Sequence, residues 1–231
     1  MPTLPKRNRH FTEVWNIHKS GKYIWFQSDF NLLRFDGSKS ISIPYKYKIT
    51  TSALIRGRLY IASKEGGICQ LNGKTFTSVP GGEHVKGMRV CALLPYQKGN
   101  ILIVTEFCGV FIFDGATVRP FEMDIDPFLK ANQVFCAATN EHELVFGTVN
   151  NGIIIKDITN DSNTFVNMST GLQNNTVLSI DFDRMDNIWL GLDNGIDYVL
   201  YNSPVSTIFG TSNIYGAGYA SMLLGLSLIH I

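Results

Sequence analysis

Apolar residues along this chain come in short bursts that recur with a period of about 43 residues. Each unit carries an apolar triplet: Ile24-Trp25-Phe26, Leu59-Tyr60-Ile61, Ile101-Leu102-Ile103, Leu144-Val145-Phe146 and Ile188-Trp189-Leu190. Successive triplets start 35, 42, 43 and 44 residues apart. A second burst begins eight or nine residues after each start, at Leu32, Ile68, Val110, Ile153 and Ile196. A repeat of 40–50 residues holding several short strands predicts β-propeller blades. The expected fold is therefore all-β: four-stranded antiparallel blades in an incomplete arc of about five, with partial ends. The blades are placed at 11–46, 49–80, 88–122, 133–168 and 176–209, with a partial unit at 214–225 and a non-repeating, foreign-looking tail at 226–231.

Val177 to Phe182 alternates apolar and polar residues over most of its length, as a strand with one face in a core does. Asp193-Asn194-Gly195 then supplies a tight hairpin, because both Asn and Gly tolerate positive φ. Glycine ends the corresponding turn in three other units (Gly67, Gly109, Gly152), while the first unit has Asn31. A left-handed backbone position explains both choices. Phe11 to Ile17 is expected to open the first blade, which puts Trp15 in an innermost strand and in the core. Trp25 and Trp189 share one repeat position and are expected to pack between neighbouring sheets. Helical periodicity is absent beyond a single turn at Asp126 to Ala131.

Charge is balanced, with 20 basic and 19 acidic residues. That argues against a dedicated nucleic-acid surface, and Lys6 to His10 reads as a solvated edge. No stretch reads as a membrane span or a signal peptide. The four cysteines (Cys69, Cys91, Cys108, Cys136) lack CxxC spacing, so no zinc site is expected. The five histidines do not recur at a fixed repeat position, which denies a ring of metal ligands around an axis. His142, beside Glu141 and Glu143, reads as a solvated turn. Asp183 and Asp186 lack the ligand spacing of an EF-hand, and turn chemistry accounts for them. No phosphate loop, nucleophile elbow or HExxH motif is present, so no catalytic residue, metal or cofactor is expected.

What remains is surface. Loops joining the second and third strands of each blade project from one face and hold Asp29, Asn31, Lys64, Glu65, Glu106, Asn150, Asn151, Asp193 and Asn194. Polar side chains gathered near a shared axis are the candidate ligand site, with plain solvation as the alternative.

The stretch Gly171 to Ile196, GLQNNTVLSIDFDRMDNIWLGLDNGI, resembles the two-component regulator propeller repeat: an Asn-rich lead-in, V-x-x-I, an Asp turn, N-x-W-x-G and a D-x-G close. The other units match in pattern without the Trp-x-Gly core. The resemblance implies the periplasmic sensor region of a bacterial hybrid two-component or triple-tyrosine regulator, binding a glycan-derived oligosaccharide rather than catalysing. It also implies further domains in the parent chain (a three-tyrosine β-sandwich, a membrane span and a kinase or helix-turn-helix output). A homodimer is a candidate assembly, and this segment is expected to make no nucleic-acid contact. A propeller lyase and a protein-interaction propeller are the alternative functions.

Overall fold

The computed structural model describes residues 13–200, and the backbone of 221–224 and 227–230. Five antiparallel sheets follow one another along the chain. The first contains β1 (Asn16–Ser20), β2 (Tyr23–Gln27), β3 (Asn31–Phe35) and β4 (Ser40–Pro44). The second contains β5 (Ile49–Ile55), β6 (Arg58–Ser63), β7 (Gly67–Asn72) and β8 (Thr75–Ser78). The third contains β9 (Val90–Pro95), β10 (Ile101–Thr105), β11 (Val110–Phe113) and β12 (Val118–Pro120). A short helix, α1 (Asp126–Ala131), leads to the fourth: β13 (Val134–Thr139), β14 (Glu143–Thr148), β15 (Ile153–Asp157) and β16 (Ser162–Val166). The fifth shows three strands, β17 (Val177–Phe182), β18 (Ile188–Leu192) and β19 (Ile196–Val199). Its expected fourth strand falls at 201–209, outside the described residues. So does most of the partial unit at 214–225, though β20 (Ser221–Leu224) pairs with β21 (Ser227–His230) as a hairpin.

Strand order within every sheet is chain order, so each is a meander. The leading strands β1, β5, β9, β13 and β17 pack each against the next. The sheets are thus the five blades of a β-propeller, arranged radially.

Period-two side-chain alternation explains why the central blades read as unbroken apolar runs. In the third blade Ile101, Ile103 and Phe111 pack with Tyr60, Ala62 and Ile68 of the second. Leu102, Val104 and Ile112 point the other way, onto Leu144, Phe146 and Ile154 of the fourth. A sheet covered on both faces needs apolar residues at every position. Two further clusters join the first blade to the second, through Trp25, Leu32, Ile49 and Ile61, and the fourth to the fifth, through Val145, Ile153, Val177 and Leu190. Blade-to-blade contact is therefore where this chain keeps its core.

A hydroxyl recurs at the end of the second strand or just after it: Ser28, Ser63, Thr105 and Thr148, all buried. Thr105 Oγ1 donates to Gly109 O and accepts from Cys108 N at 3.1 Å. Thr148 Oγ1 likewise donates to Gly152 O at 2.9 Å and accepts from Asn151 N at 3.0 Å. The hydroxyl closes the loop onto its own strand and satisfies backbone groups that burial would otherwise leave unpaired.

Four expectations change. Gly67, Gly109, Gly152 and Gly195 do have positive φ, but Asn31 does not, nor does Asn194. Asn31 instead receives Ser42 Oγ at 3.2 Å, and Ser28 closes the loop onto its carbonyl. The first innermost strand is Asn16–Ser20, Trp15 precedes it and is 54% exposed instead of core, and Phe11 lies outside the described residues. Trp25 is buried at 8%, whereas Trp189 is 45% exposed and tilts onto Tyr198. Glu143 beside His142 is buried, not solvated.

Candidate functional site

Each blade enters through a linker, and the residue directly before the innermost strand is Trp15, Lys48, Arg89, Gln133 or Thr176. One chain reversal, between the first and second strands, returns the chain to the same end of the blade, where the loop to the third strand lies. Backbone hydrogen bonds tie these loops and linkers together around the axis. Ile49 N donates to Asp29 O, Gly87 N to Lys64 O, Glu106 N to Arg89 O and Val134 N to Glu106 O. Val149 N to Gln133 O, Gly152 N to Asn175 O and Asp193 N to Thr176 O carry the pattern to the fifth blade. Each loop is thus held by linkers, and the loop face is one connected rim.

Inside this rim the starts of all five innermost strands surround a cavity of 560 Å³. Trp15, Asp29, Lys48, Arg89, Phe135 and Ser179 line it. The volume is on the scale of small-molecule sites, about 300–1,000 Å³. The Trp15 indole donates to Asp29 Oδ1 at 2.9 Å, and Lys48 Nζ lies 3.5 Å from the same oxygen. Across the mouth Arg89 Nη1 donates to Glu106 Oε1 at 3.1 Å, and Gln133 Nε2 donates to that oxygen at 2.8 Å. The Arg89 guanidinium sits 5.2 Å from the centre of the Phe135 ring, a cation–π contact.

The wall between the first two blades is polar. Asn16 Nδ2 donates to Gln27 Oε1 at 2.7 Å, Ser52 Oγ donates to it at 3.3 Å, and His18 Nε2 lies 2.8 Å from Ser52 Oγ. Burial holds the His18 imidazole below its ordinary value. Cys91 and Cys136 also line the cavity and donate to the carbonyls of Val134 and Val177. Burial pushes both thiols up to about 12, so they are protonated and unreactive near neutrality.

Of the nine expected site residues, Asp29 lines the cavity and Glu106 anchors a residue that does. Asn31 and Asn151 accept hydrogen bonds within the scaffold, from Ser42 and Asn167. Lys64, Glu65, Asn150, Asp193 and Asn194 stand exposed at loop tips. Trp15, Lys48, Arg89 and Phe135 were not among the candidates, although the first three share one repeat position. Asp183 is committed to its turn, accepting from Met185 N at 2.8 Å, Asn187 N at 3.0 Å and the Tyr198 hydroxyl at 3.2 Å. Among the described residues no group of three or more His, Cys, Asp or Glu is placed to hold a metal ion.

No protein-family model matches the chain. It is 25% identical over 220 residues to histidine kinase P4 of Formosa agariphila, an alignment covering 84% of this chain and 16% of the kinase. Its structure is similar to the extracellular domain of the hybrid two-component system BT4673 of B. thetaiotaomicron, with a TM-score of 0.67 at 20% identity, covering 87% of this chain and 29% of that one. The extracellular domain of BT3049 from the same organism gives 0.65 at 18% identity, covering 92% and 31%. Virginiamycin B lyase from Staphylococcus aureus gives 0.63 at 14% identity, covering 82% and 67%. The propeller thus resembles in fold the extracellular domains of two-component systems, and its sequence is distantly related to part of a histidine kinase. The chain spans 16% of that kinase and about 30% of the two extracellular domains.

Proposed function

We propose that this propeller is the extracellular, periplasm-facing sensor region of a bacterial two-component regulator, and that it binds a glycan-derived ligand at the axial mouth without transforming it. The observation that carries the reading is the cavity ringed by five innermost strands, with aromatic and charged side chains at its opening. Its likeness to sensor ectodomains supports the same reading. Binding is favoured over lyase chemistry because the mouth offers committed partners rather than a free acid–base pair. Asp29 and Glu106 are both held by protein donors, and the two lining thiols stay protonated.

The architecture suits signalling by population shift. A ligand spanning the mouth touches linkers of several blades at once, and those linkers are hydrogen-bonded to the neighbouring loops. Gripping them together favours one arrangement of the rim, and with it one arrangement of whatever output domain the parent chain carries. Calorimetry of the chain against a panel of neutral and acidic plant, algal and host oligosaccharides tests this reading. Saturable binding by one member is expected; silence across the whole panel would overturn glycan sensing.

A further inference from the structure

We infer that the axial mouth takes an anionic oligosaccharide, its carboxylate or sulfate gripped by Lys48 and Arg89 and its sugar rings set against Trp15 and Phe135. The inference rests on the sensor reading above and adds the charge of the ligand.

Among the described residues, the charges at the mouth are layered. The carboxylates are recessed, with side chains 17% exposed at Asp29 and 18% at Glu106. The cations lie outermost, at 59% for Lys48 and 41% for Arg89. Both carboxylates are engaged by the protein: Asp29 accepts from the Trp15 indole and lies beside the Lys48 ammonium, and Glu106 accepts from Arg89 and Gln133. A guanidinium has five N–H donors and an ammonium three. One Arg89 nitrogen is used by Glu106, which leaves further N–H donors on a side chain that lines the cavity. The recessed carboxylates therefore act as anchors, and an arriving ligand meets charged donors.

Two features narrow the ligand further. Lys48 and Arg89 occupy the same position in adjacent blades, directly before β5 and β9, so the shared axis brings both cations to one opening. The rings lie on either side of them: Trp15 is more than half exposed, and Phe135 stacks beneath the guanidinium. Aromatic faces suit the C–H faces of pyranose rings, and the hydroxyls of Ser52 and Ser179 in the wall suit sugar hydroxyls. A free inorganic anion would use the cations and leave the rings idle.

The test is calorimetry of the full chain with charge-matched pairs: tetragalacturonate against its methyl ester, and a sulfated galactan tetrasaccharide against its desulfated form. Galacturonate monomer and inorganic sulfate serve as small-anion probes. The charged member of at least one pair is expected to bind about tenfold or more tighter than its neutral form, and more weakly as salt rises. Which pair responds distinguishes carboxylate from sulfate. Lys48→Gln and Arg89→Gln are each expected to weaken binding about tenfold. Lys48 is the more exposed of the two and guards against a folding defect in the Arg89 variant. Equal binding of charged and neutral forms, or charged-member binding that Lys48→Gln leaves unchanged, overturns the anionic assignment while leaving glycan sensing intact. Small anions binding as well as the oligosaccharides overturn the saccharide part. No binding by any charged member overturns the inference outright; silence from the broader panel as well removes the sensor reading with it.

Discussion

Arg89 and Glu106 meet at 3.1 Å across the entrance of the third blade, and the same carboxylate oxygen also receives Gln133 from the linker into the fourth. One acidic side chain therefore joins two blade linkers. Half-exposed ion pairs are worth little by themselves, about 0.2–1 kcal/mol. A double-mutant cycle of Arg89→Ala and Glu106→Ala, read by urea unfolding, is expected to give a coupling of about 0.5 kcal/mol that shrinks in 1 M salt. Glu106→Ala alone is expected to cost more than Arg89→Ala, because it also releases Gln133.

Trp25 and Trp189 sit at one repeat position and in opposite environments. Trp25→Ala empties part of the core between the first two blades and is expected to cost about 3–5 kcal/mol. Trp189→Ala removes an exposed ring tilted at 45° on Tyr198 and is expected to cost less than about 1.5 kcal/mol. Chemical denaturation of the two variants under one set of conditions checks the contrast.

Gly152 and Gly37 both have positive φ, at 67° and 96°. A Cβ on Gly37 meets open space, whereas one on Gly152 runs into the Val166 carbonyl oxygen and the Asn167 backbone. Gly37→Ala is expected to cost about 1–2 kcal/mol, the penalty of a left-handed L-residue. Gly152→Ala is expected to cost clearly more, and Thr148→Val, which removes the hydroxyl closing the same loop, about 1–3 kcal/mol. Melting temperatures should fall in the order Gly37→Ala, then Gly152→Ala.

The cysteines supply a chemical readout of the axis. Cys91 and Cys136 have thiols raised to about 12, so less than about one in a thousand is thiolate at pH 8. Cys108 is exposed on the loop between β10 and β11. Alkylation by iodoacetamide at pH 8, followed by mass spectrometry, is expected to label Cys108 first. Labelling of Cys91 and Cys136 should rise as pH climbs toward 12, since a raised thiol pKa withholds the nucleophile until then. Rapid labelling of both at pH 8 would contradict the packing of the inner strands.

The fold was legible because a blade's signature is local: apolar runs, a turn glycine and a repeat length. Leu102 and Ile103 face different neighbours, yet both must be apolar, and the unbroken run records that. The loop face was legible for the same reason, since Gly67, Gly109 and Gly152 mark it. The residues at the mouth were harder to see. Loop tips such as Asn150 and Asp193 draw attention because they are polar, and they stand exposed. Lys48 and Arg89 look like ordinary linker residues until the axis brings them together. A usable signal existed in the residue directly before each innermost strand, where Trp15, Lys48, Arg89, Gln133 and Thr176 align. The buried hydroxyls Ser28, Ser63, Thr105 and Thr148 were also in register, two residues after each triplet. Trp189 was misjudged because its position predicts a covering neighbour, and the described residues place none on that face.

The three tryptophans allow the central claim to be tested in one experiment. Trp15 lines the mouth, Trp25 is sealed between blades, and Trp189 lies on the outer face of the fifth sheet. Indole N–H resonances should be followed by NMR as the tightest-binding anionic oligosaccharide is titrated in. A shift at Trp15 that saturates with binding, with Trp25 and Trp189 unmoved, is the predicted result. Saturation that moves Trp189, or leaves Trp15 where it was, would place the ligand away from the axis and contradict the account.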